Sequence, residues 1–205
     1  MRQTAEETEE LKKLILEKAR EVFVDKGYPA TRMQDIADAA KVSRGPLYYH
    51  YKNKSELFYQ ALKESCQTHY EVAINLFSRD MPFIDKIREE FLFCTSESHV
   101  SFSSLTNSLV TSGDPEFDSI KQLLNDTLEQ LYAVEYASAQ KAFERGELKQ
   151  DADIGRLVSC IFSCYGLFLT NKRNSMSGNI LPSFSLTSDD LINFVIRSLA
   201  REFFV

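Results

Sequence analysis

Apolar residues recur at helical spacing along the chain, and no stretch keeps the strict alternation of a half-buried strand. Leu11, Ile15, Ala19, Val22 and Phe23 mark one face of a first helix, about 6–26. Thr4 with Glu7 opens it as a capping box, and Gly27 with Pro29 just beyond ends it. Thr31 caps a short second helix, about 32–40, whose apolar stripe is Met33, Ile36, Ala37 and Ala40. Lys41 and Val42 turn the chain. Ser43 then caps a third helix, about 44–51, with Pro46 in its first turn, where a missing N–H costs no helix bond. Asn53 with Glu56 opens a long fourth helix to about residue 78.

Beyond Pro82 the pattern stays helical. A helix is expected from Phe83 to about Ser98. Another covers the Ser/Thr-rich stretch from His99 to Ser112, which keeps Phe102, Leu105, Leu109 and Val110. Asp114-Pro115-Glu116 is an N-cap with proline at the first helical position, opening a helix to about Arg145 that Gly146 ends. Asp151 opens the next, through Leu169, and Asn171 to Leu186 reads as a polar loop. Thr187 with Asp190 caps a last helix to about Phe204. The fold class is therefore all-α. A three-helix N-terminal domain, residues 1–54, is joined by the long fourth helix to a larger helical part, residues 55–205.

Composition narrows the class. The 205 residues include only 7 Gly and 5 Pro, which favours long helices over many short strands and turns. No apolar run approaches the ~18 residues that span a bilayer. The N-terminus is acidic and polar rather than a secretory signal, so a cytoplasmic location with reduced cysteines is expected. No paired carboxylates in a marked setting, Gly-rich phosphate loop, nucleophile elbow or metal-ligand spacing occurs. No enzyme, cofactor or metal is therefore expected; the three histidines, His50, His69 and His99, are scattered.

Charge changes the picture further. The net charge is −6, but it is unevenly spread. Residues 1–60 carry 11 Lys+Arg against 10 Asp+Glu, and within 26–54 six basic residues face two acidic ones. A locally basic patch matters more for phosphate binding than the pI of the whole chain. Inside that patch lies VSRGPLYYHYKNK, residues 42–54.

Two short helices joined by a tight turn form a helix-turn-helix if their faces agree. At about 100° per residue, Leu47 and Tyr51 lie about 40° apart and face the core with Ile36, Ala37 and Val42. Tyr49 points the opposite way, flanked by Gly45 and Pro46, while Arg44, Tyr48 and His50 form the shoulders. Such a face can enter a DNA major groove, offering apolar contact and hydrogen bonds to base edges. Lys54 stands in the first turn of helix 4, where a cation opposes the helix dipole. That placement makes sense if Lys54 and the helix N-terminus hold a phosphate, with Thr31 and Arg32 doing the same at helix 2. The bland alternative is that Tyr48 and Tyr51 are core and Lys52 and Lys54 a solvated turn. Caps, turn, helical wheel and charge agree against it.

The stretch AREVFVDKGYPATRMQDIADAAKVS followed by RGPLYYHYKNKSEL resembles the DNA-binding domain of the TetR family of bacterial transcriptional repressors, over residues about 8–56. The resemblance implies an all-helical homodimer of about nine helices per subunit. It also implies a near-palindromic operator and release by a small molecule bound in residues 55–205. By position, Arg44, Gly45, Pro46 and Tyr49 would face bases. Tyr48, His50 and Lys54 would hold the backbone, with help from Thr31 and Arg32. Two positions depart from the pattern: Lys41 replaces the usual turn glycine, and Pro46 replaces a small or hydroxyl residue. Lys41 must then take the left-handed conformation at some cost in strain.

The last two helices, 152–169 and 188–204, are the expected dimer faces. Ser159, Ser163 and Gly166 make a small-residue stripe beside Cys160, Cys164 and Leu167. Ligand-site candidates, each also able to serve as core, are Cys66, Tyr70, Phe91, Thr95, Phe102, Tyr132, Tyr136 and Tyr165. Cys160 and Cys164 at i, i+4 open an alternative, a non-catalytic interaction or thiol-sensing regulator. Two small buried hydrophobes remain the plainer account of the pair.

Overall fold

Two helix starts in the N-terminal part are set by side chains that bond the first turn, Asp35 and Asn53. The computed structural model describes residues 5–96, 106, 109–110, 113–176 and 187–205, the side chains of Ala5 and of residues 166–176 excepted. Among the described residues there are eight α-helices: α1 (Ala5–Lys26), α2 (Met33–Ala39), α3 (Arg44–His50), α4 (Lys54–Ser78), α5 (Phe83–Cys94), α6 (Asp118–Glu144), α7 (Ile154–Met176) and α8 (Ser188–Phe203). A 3-10 turn, Pro115–Phe117, leads into α6. The one sheet-like feature among these residues is an isolated antiparallel bridge between Leu148 and Phe204. The all-α expectation holds. The expected cap at Thr4, the candidate Phe102 and most of the Ser/Thr-rich helix lie outside the described residues; Thr106, Leu109 and Val110 within that stretch are helical.

The chain packs as two units. The first comprises residues up to Gln67 together with 105–123, the second 68–104 with 124–205. In the first unit α1 buries Ile15, Ala19 and Phe23, α2 buries Ile36 and Ala37, α3 buries Leu47, and α4 buries Leu57, Phe58 and Ala61. Gly27 ends α1 with φ 77°, a conformation glycine adopts freely, and its N–H bonds the Phe23 carbonyl at 2.9 Å. Phe23, Tyr28, Phe58 and Phe117 form an aromatic knot with ring centroids 4.9 to 5.8 Å apart. Tyr28 donates its hydroxyl to Glu116 at 2.9 Å, and burial followed by that carboxylate pushes the phenol up to about 12. Burying rings of this size contributes roughly 1.5–3 kcal/mol each, and the knot explains why residues 115–123 pack with the first unit.

In the second unit Phe83, Ile87 and Phe91 of α5 pack with Ala139 and Ala142 of α6, Leu157, Val158 and Ile161 of α7, and Ile192 and Val195 of α8. Glu147 accepts the N–H of Phe83 at 2.7 Å and so caps α5, where Pro82 offers no side-chain acceptor. Lys149 donates to the carbonyls of Arg201 and Glu202 at 2.7 and 3.0 Å, satisfying the end of α8.

Several boundaries differ from the expected ones. Arg32, not Thr31, is the N-cap of α2; its N–H donates to the Asp35 carboxylate at 2.8 Å. Ser43 holds the N-cap backbone conformation of α3 but its side chain makes no cap bond. α5 ends at Cys94 rather than Ser98, because the Thr95 hydroxyl turns back to the Leu92 carbonyl at 3.1 Å where the Ser/Thr run begins. α7 starts after Asp153, which accepts the N–H of Arg156 at 3.0 Å, not after Asp151. It then runs to Met176, through residues 171–176 that were expected to be loop. A polar stretch holding Lys, Arg and Met continues a helix readily, since polarity alone does not break one. The caps at Asn53, Asp114 and the Thr187–Asp190 box are as expected.

Candidate functional site

The turn between α2 and α3 closes on backbone bonds. The N–H of Val42 donates to Ala37 at 3.0 Å, and Lys41 takes φ 56°. It is the sole non-glycine with positive φ among the described residues. This turn aims α3. Leu47 is fully buried and Tyr51 nearly so, while Tyr49 is 83% exposed and Tyr48 49% exposed. The inward and outward positions read from the sequence therefore hold at Leu47, Tyr51, Tyr48 and Tyr49. A Cβ placed on Gly45 would meet nothing within 4 Å, so no packing demand inside the protein asks for glycine there.

Polar contacts brace this surface. Arg44 donates through Nε to Gln34 Oε1, and Gln34 donates to Asp38 at 2.5 Å, linking α3 to α2. Lys26 pairs with Asp35 at 2.9 Å, and that ammonium, with the Arg32 N–H, holds the Asp35 carboxyl below its ordinary range. His50 is half-buried beside Tyr49, rings 5.0 Å apart; burial, then the Lys12 charge, holds its imidazole below the usual value. Arg32, Lys41 and Lys52 are exposed around the edge, and Pro46 is half-buried.

Two residues expected at phosphates also have partners inside the protein. Thr31 is buried and its hydroxyl donates to the Gly27 carbonyl at 2.7 Å. Lys54 donates to the carbonyls of Tyr28 and Pro29 at 2.7 and 3.3 Å, with its ammonium 4.4 Å from the centre of the Tyr28 ring. Its odd position in the first turn of α4 is explained by this staple, which ties the α1–α2 loop to α4.

In the second unit the structure gathers Phe91, Tyr132, Tyr136 and Tyr165 into one aromatic cluster through Phe162. Successive rings lie 5.4 to 6.0 Å apart. Tyr70 packs against the same core, whereas the Thr95 hydroxyl serves the end of α5. Cys66 belongs to the first unit and is not among them. Cys160 and Cys164 are half-buried on α7 and form no disulfide; burial, then Cys160, pushes the Cys164 thiol up, away from the thiolate a sensor needs.

Sequence reasoning missed two residues at this cluster, Glu90 and Glu135. Glu90 is 1% exposed and Glu135 fully buried. The signal was present: Glu90 interrupts the stripe Phe83, Ile87, Phe91, Cys94, and Glu135 the stripe Leu131, Ala139, Ala142.

The profile of the family described as bacterial regulatory proteins, tetR family, matches residues 15–61, which span α1 to the start of α4. The chain is 38% identical over 73 residues to the HTH-type transcriptional regulator TtgR of Pseudomonas putida. That match covers 36% of this chain and 35% of TtgR, so it spans about a third of the relative's length. It is 26% identical over 208 residues to the HTH-type transcriptional repressor BepR of Brucella suis biovar 1, covering 97% and 96% of the two chains. A structure from Mesorhizobium loti MAFF303099, ascribed to the TetR family, shares the fold with a TM-score of 0.73 at 18% identity, over 99% of this chain and 100% of that one. Over residues 15–61 the chain is thus similar to the TetR family of bacterial regulatory proteins, and its fold is that of the Mesorhizobium loti structure.

Proposed function

We propose that this protein is a DNA-binding transcriptional regulator, a repressor that leaves a near-palindromic operator when a small molecule binds its second unit. The observation that carries the reading is the outer face of α3. Tyr49 is 83% exposed, opposite a fully buried Leu47, on a helix small enough at Gly45 to approach a groove closely. A large aromatic ring held in solvent contributes little to folding, and a major groove gives it base edges and thymine methyls to meet. Arg44, Gly45, Pro46 and Tyr49 face bases. Tyr48, His50, Arg32 and the exposed Lys41 and Lys52 hold the backbone. Thr31 and Lys54 act through the shape of the α1–α2 loop rather than through their own side-chain donors.

The chain works as a homodimer through α7 and α8. Ser159 and Ser163 are exposed on α7, and Phe194 on α8 is 68% exposed, a surface suited to a second copy. A two-fold dimer presents two α3 helices to half-sites about one helical turn of DNA apart. The named relatives TtgR and BepR, a regulator and a repressor, support the class. Among the described residues no helix is long and apolar enough to cross a membrane.

The test is a gel shift on DNA flanking the gene. Specific binding should weaken steeply with salt, since each phosphate contact releases counterion, and should be lost in Tyr49→Ala. A Tyr49→Ala shift equal to wild type would remove the assignment of this face.

A further inference from the structure

We infer that the buried Glu90–Glu135 pair is the receptor for the cationic group of an organic effector, whose apolar body lies along Phe91, Phe162, Tyr132 and Tyr165. The inference rests on the reading that the second unit binds an effector, and it names that effector's chemical class.

Both acids are buried and short of hydrogen-bond partners. Both oxygens of Glu90 and Oε2 of Glu135 are buried without a hydrogen-bond partner. Glu135 receives one bond, from the Tyr165 hydroxyl at 3.1 Å. A buried carboxylate without partners costs several kcal/mol, more than its helix position returns. The surroundings add negative character. Burial, then Glu90, pushes the Glu135 carboxyl up; burial, then Glu135 and Glu90, pushes the Tyr165 hydroxyl up; and burial with both acids does the same to the Cys94 thiol. His69 of α4 stands 3.7 Å from Glu90 Oε1 and 3.7 Å from Cys94 Sγ, beyond strong hydrogen-bond range of the carboxylate. So α4, α5 and α7 face the pair with His69, Cys94 and Tyr165.

A cation from outside satisfies what the protein leaves open. An organic cation fits better than a metal ion, because among the described residues no group of three or more ligating side chains could hold one. The aromatic side chains supply the rest. Phe91 meets Tyr165 edge-on at 5.4 Å, Tyr165 meets Phe162 at 5.4 Å, and Phe162 meets Tyr132 at 5.6 Å. Phe91 is buried, and Tyr132, Phe162 and Tyr165 are partly buried against the same core, so apolar rings line the neighbourhood of the acids. Ring faces attract alkylammonium groups, and the apolar stems fit the same walls. Burial and then Glu90 push the Glu135 carboxyl up, and a cation beside it draws that carboxyl back down, favouring the carboxylate that pairs with it.

The experiment is calorimetric titration of the full chain with phenyltrimethylammonium and with its uncharged isostere tert-butylbenzene. Wild type should bind the cation at least about tenfold more tightly than the isostere, with proton release seen as a heat that changes with buffer. In E90Q/E135Q the preference should fall below about threefold while the isostere binds as before. That variant removes buried charge without removing volume, so its Tm should match or exceed wild type, which separates lost binding from lost fold. Equal binding of the two probes to wild type, or a preference unchanged in the variant, overturns the proposal. So does stoichiometric zinc binding abolished by His69→Ala. A gel shift with phenyltrimethylammonium separates the two readings. Acid-dependent binding with an intact DNA complex supports the receptor and removes effector release. A complex that the cation loosens equally in wild type and variant removes the receptor and keeps effector release.

Discussion

The ammonium of Lys54 lies 4.4 Å from the centre of the Tyr28 ring and donates to the carbonyl of the same Tyr28 at 2.7 Å. One side chain thus fixes both the loop that leads into α2 and the ring at the centre of the aromatic knot. Lys54→Ala should destabilise the protein by about 1–2 kcal/mol, the sum of a modest cation–π contact and charge-assisted bonds at a half-buried site. Urea denaturation checks this. A lysine serving phosphate alone would leave the midpoint unchanged.

Tyr49 and Tyr51, two residues apart, should behave in opposite ways. Tyr49→Ala is expected to keep stability within about 0.5 kcal/mol while weakening operator binding by tenfold or more, roughly 1–3 kcal/mol. Tyr51→Ala, at a position 6% exposed, should cost about 3 kcal/mol of stability. Thermal melts beside gel shifts separate the two.

Lys41→Gly should stabilise the protein by about 1 kcal/mol. Relief of the left-handed conformation at φ 56° outweighs the extra freedom glycine gives the unfolded chain. A lower Tm for the glycine variant would show that Lys41 makes up the strain by other contacts.

Stability should decline as pH rises above the ordinary glutamate value of 4.5. The folded state holds the Glu135 proton more tightly than the unfolded chain does, because burial and then Glu90 push that carboxyl up. The contribution is fully present below 4.5 and is lost as pH climbs through the raised value, at up to about 1.4 kcal/mol per pH unit. Urea midpoints for wild type and Glu135→Gln across the range should diverge with pH, the variant being the flatter. Parallel profiles would mean that Glu135 has a solvent path.

In the proposed dimer, Phe194→Glu should shift the protein towards monomer in sedimentation while leaving the monomer folded, since Phe194 is 68% exposed within one chain. An unchanged sedimentation coefficient would place the dimer face elsewhere.

What the sequence by itself determined is local. The caps at Asn53, Asp114 and Thr187, the stop at Gly27, the strained turn at Lys41 and the split of Tyr49 from Tyr51 all follow from spacing of a few residues, and each stands in the structure. The outward face of α3 was legible for the same reason: a helix of seven residues has its faces set by its own periodicity once Leu47 and Tyr51 are inward. Only the tertiary structure decided the assignments that depend on distant partners. Lys54, expected at a phosphate, also meets the carbonyls of Tyr28 and Pro29, and Thr31 looked like a cap until its hydroxyl met Gly27. Glu90 and Glu135 are 45 residues apart in sequence, and nothing local to either says that the other shares its burial. Their meeting comes from the packing of α5, α6 and α7, which puts two carboxylates into one apolar interior and leaves them short of a partner.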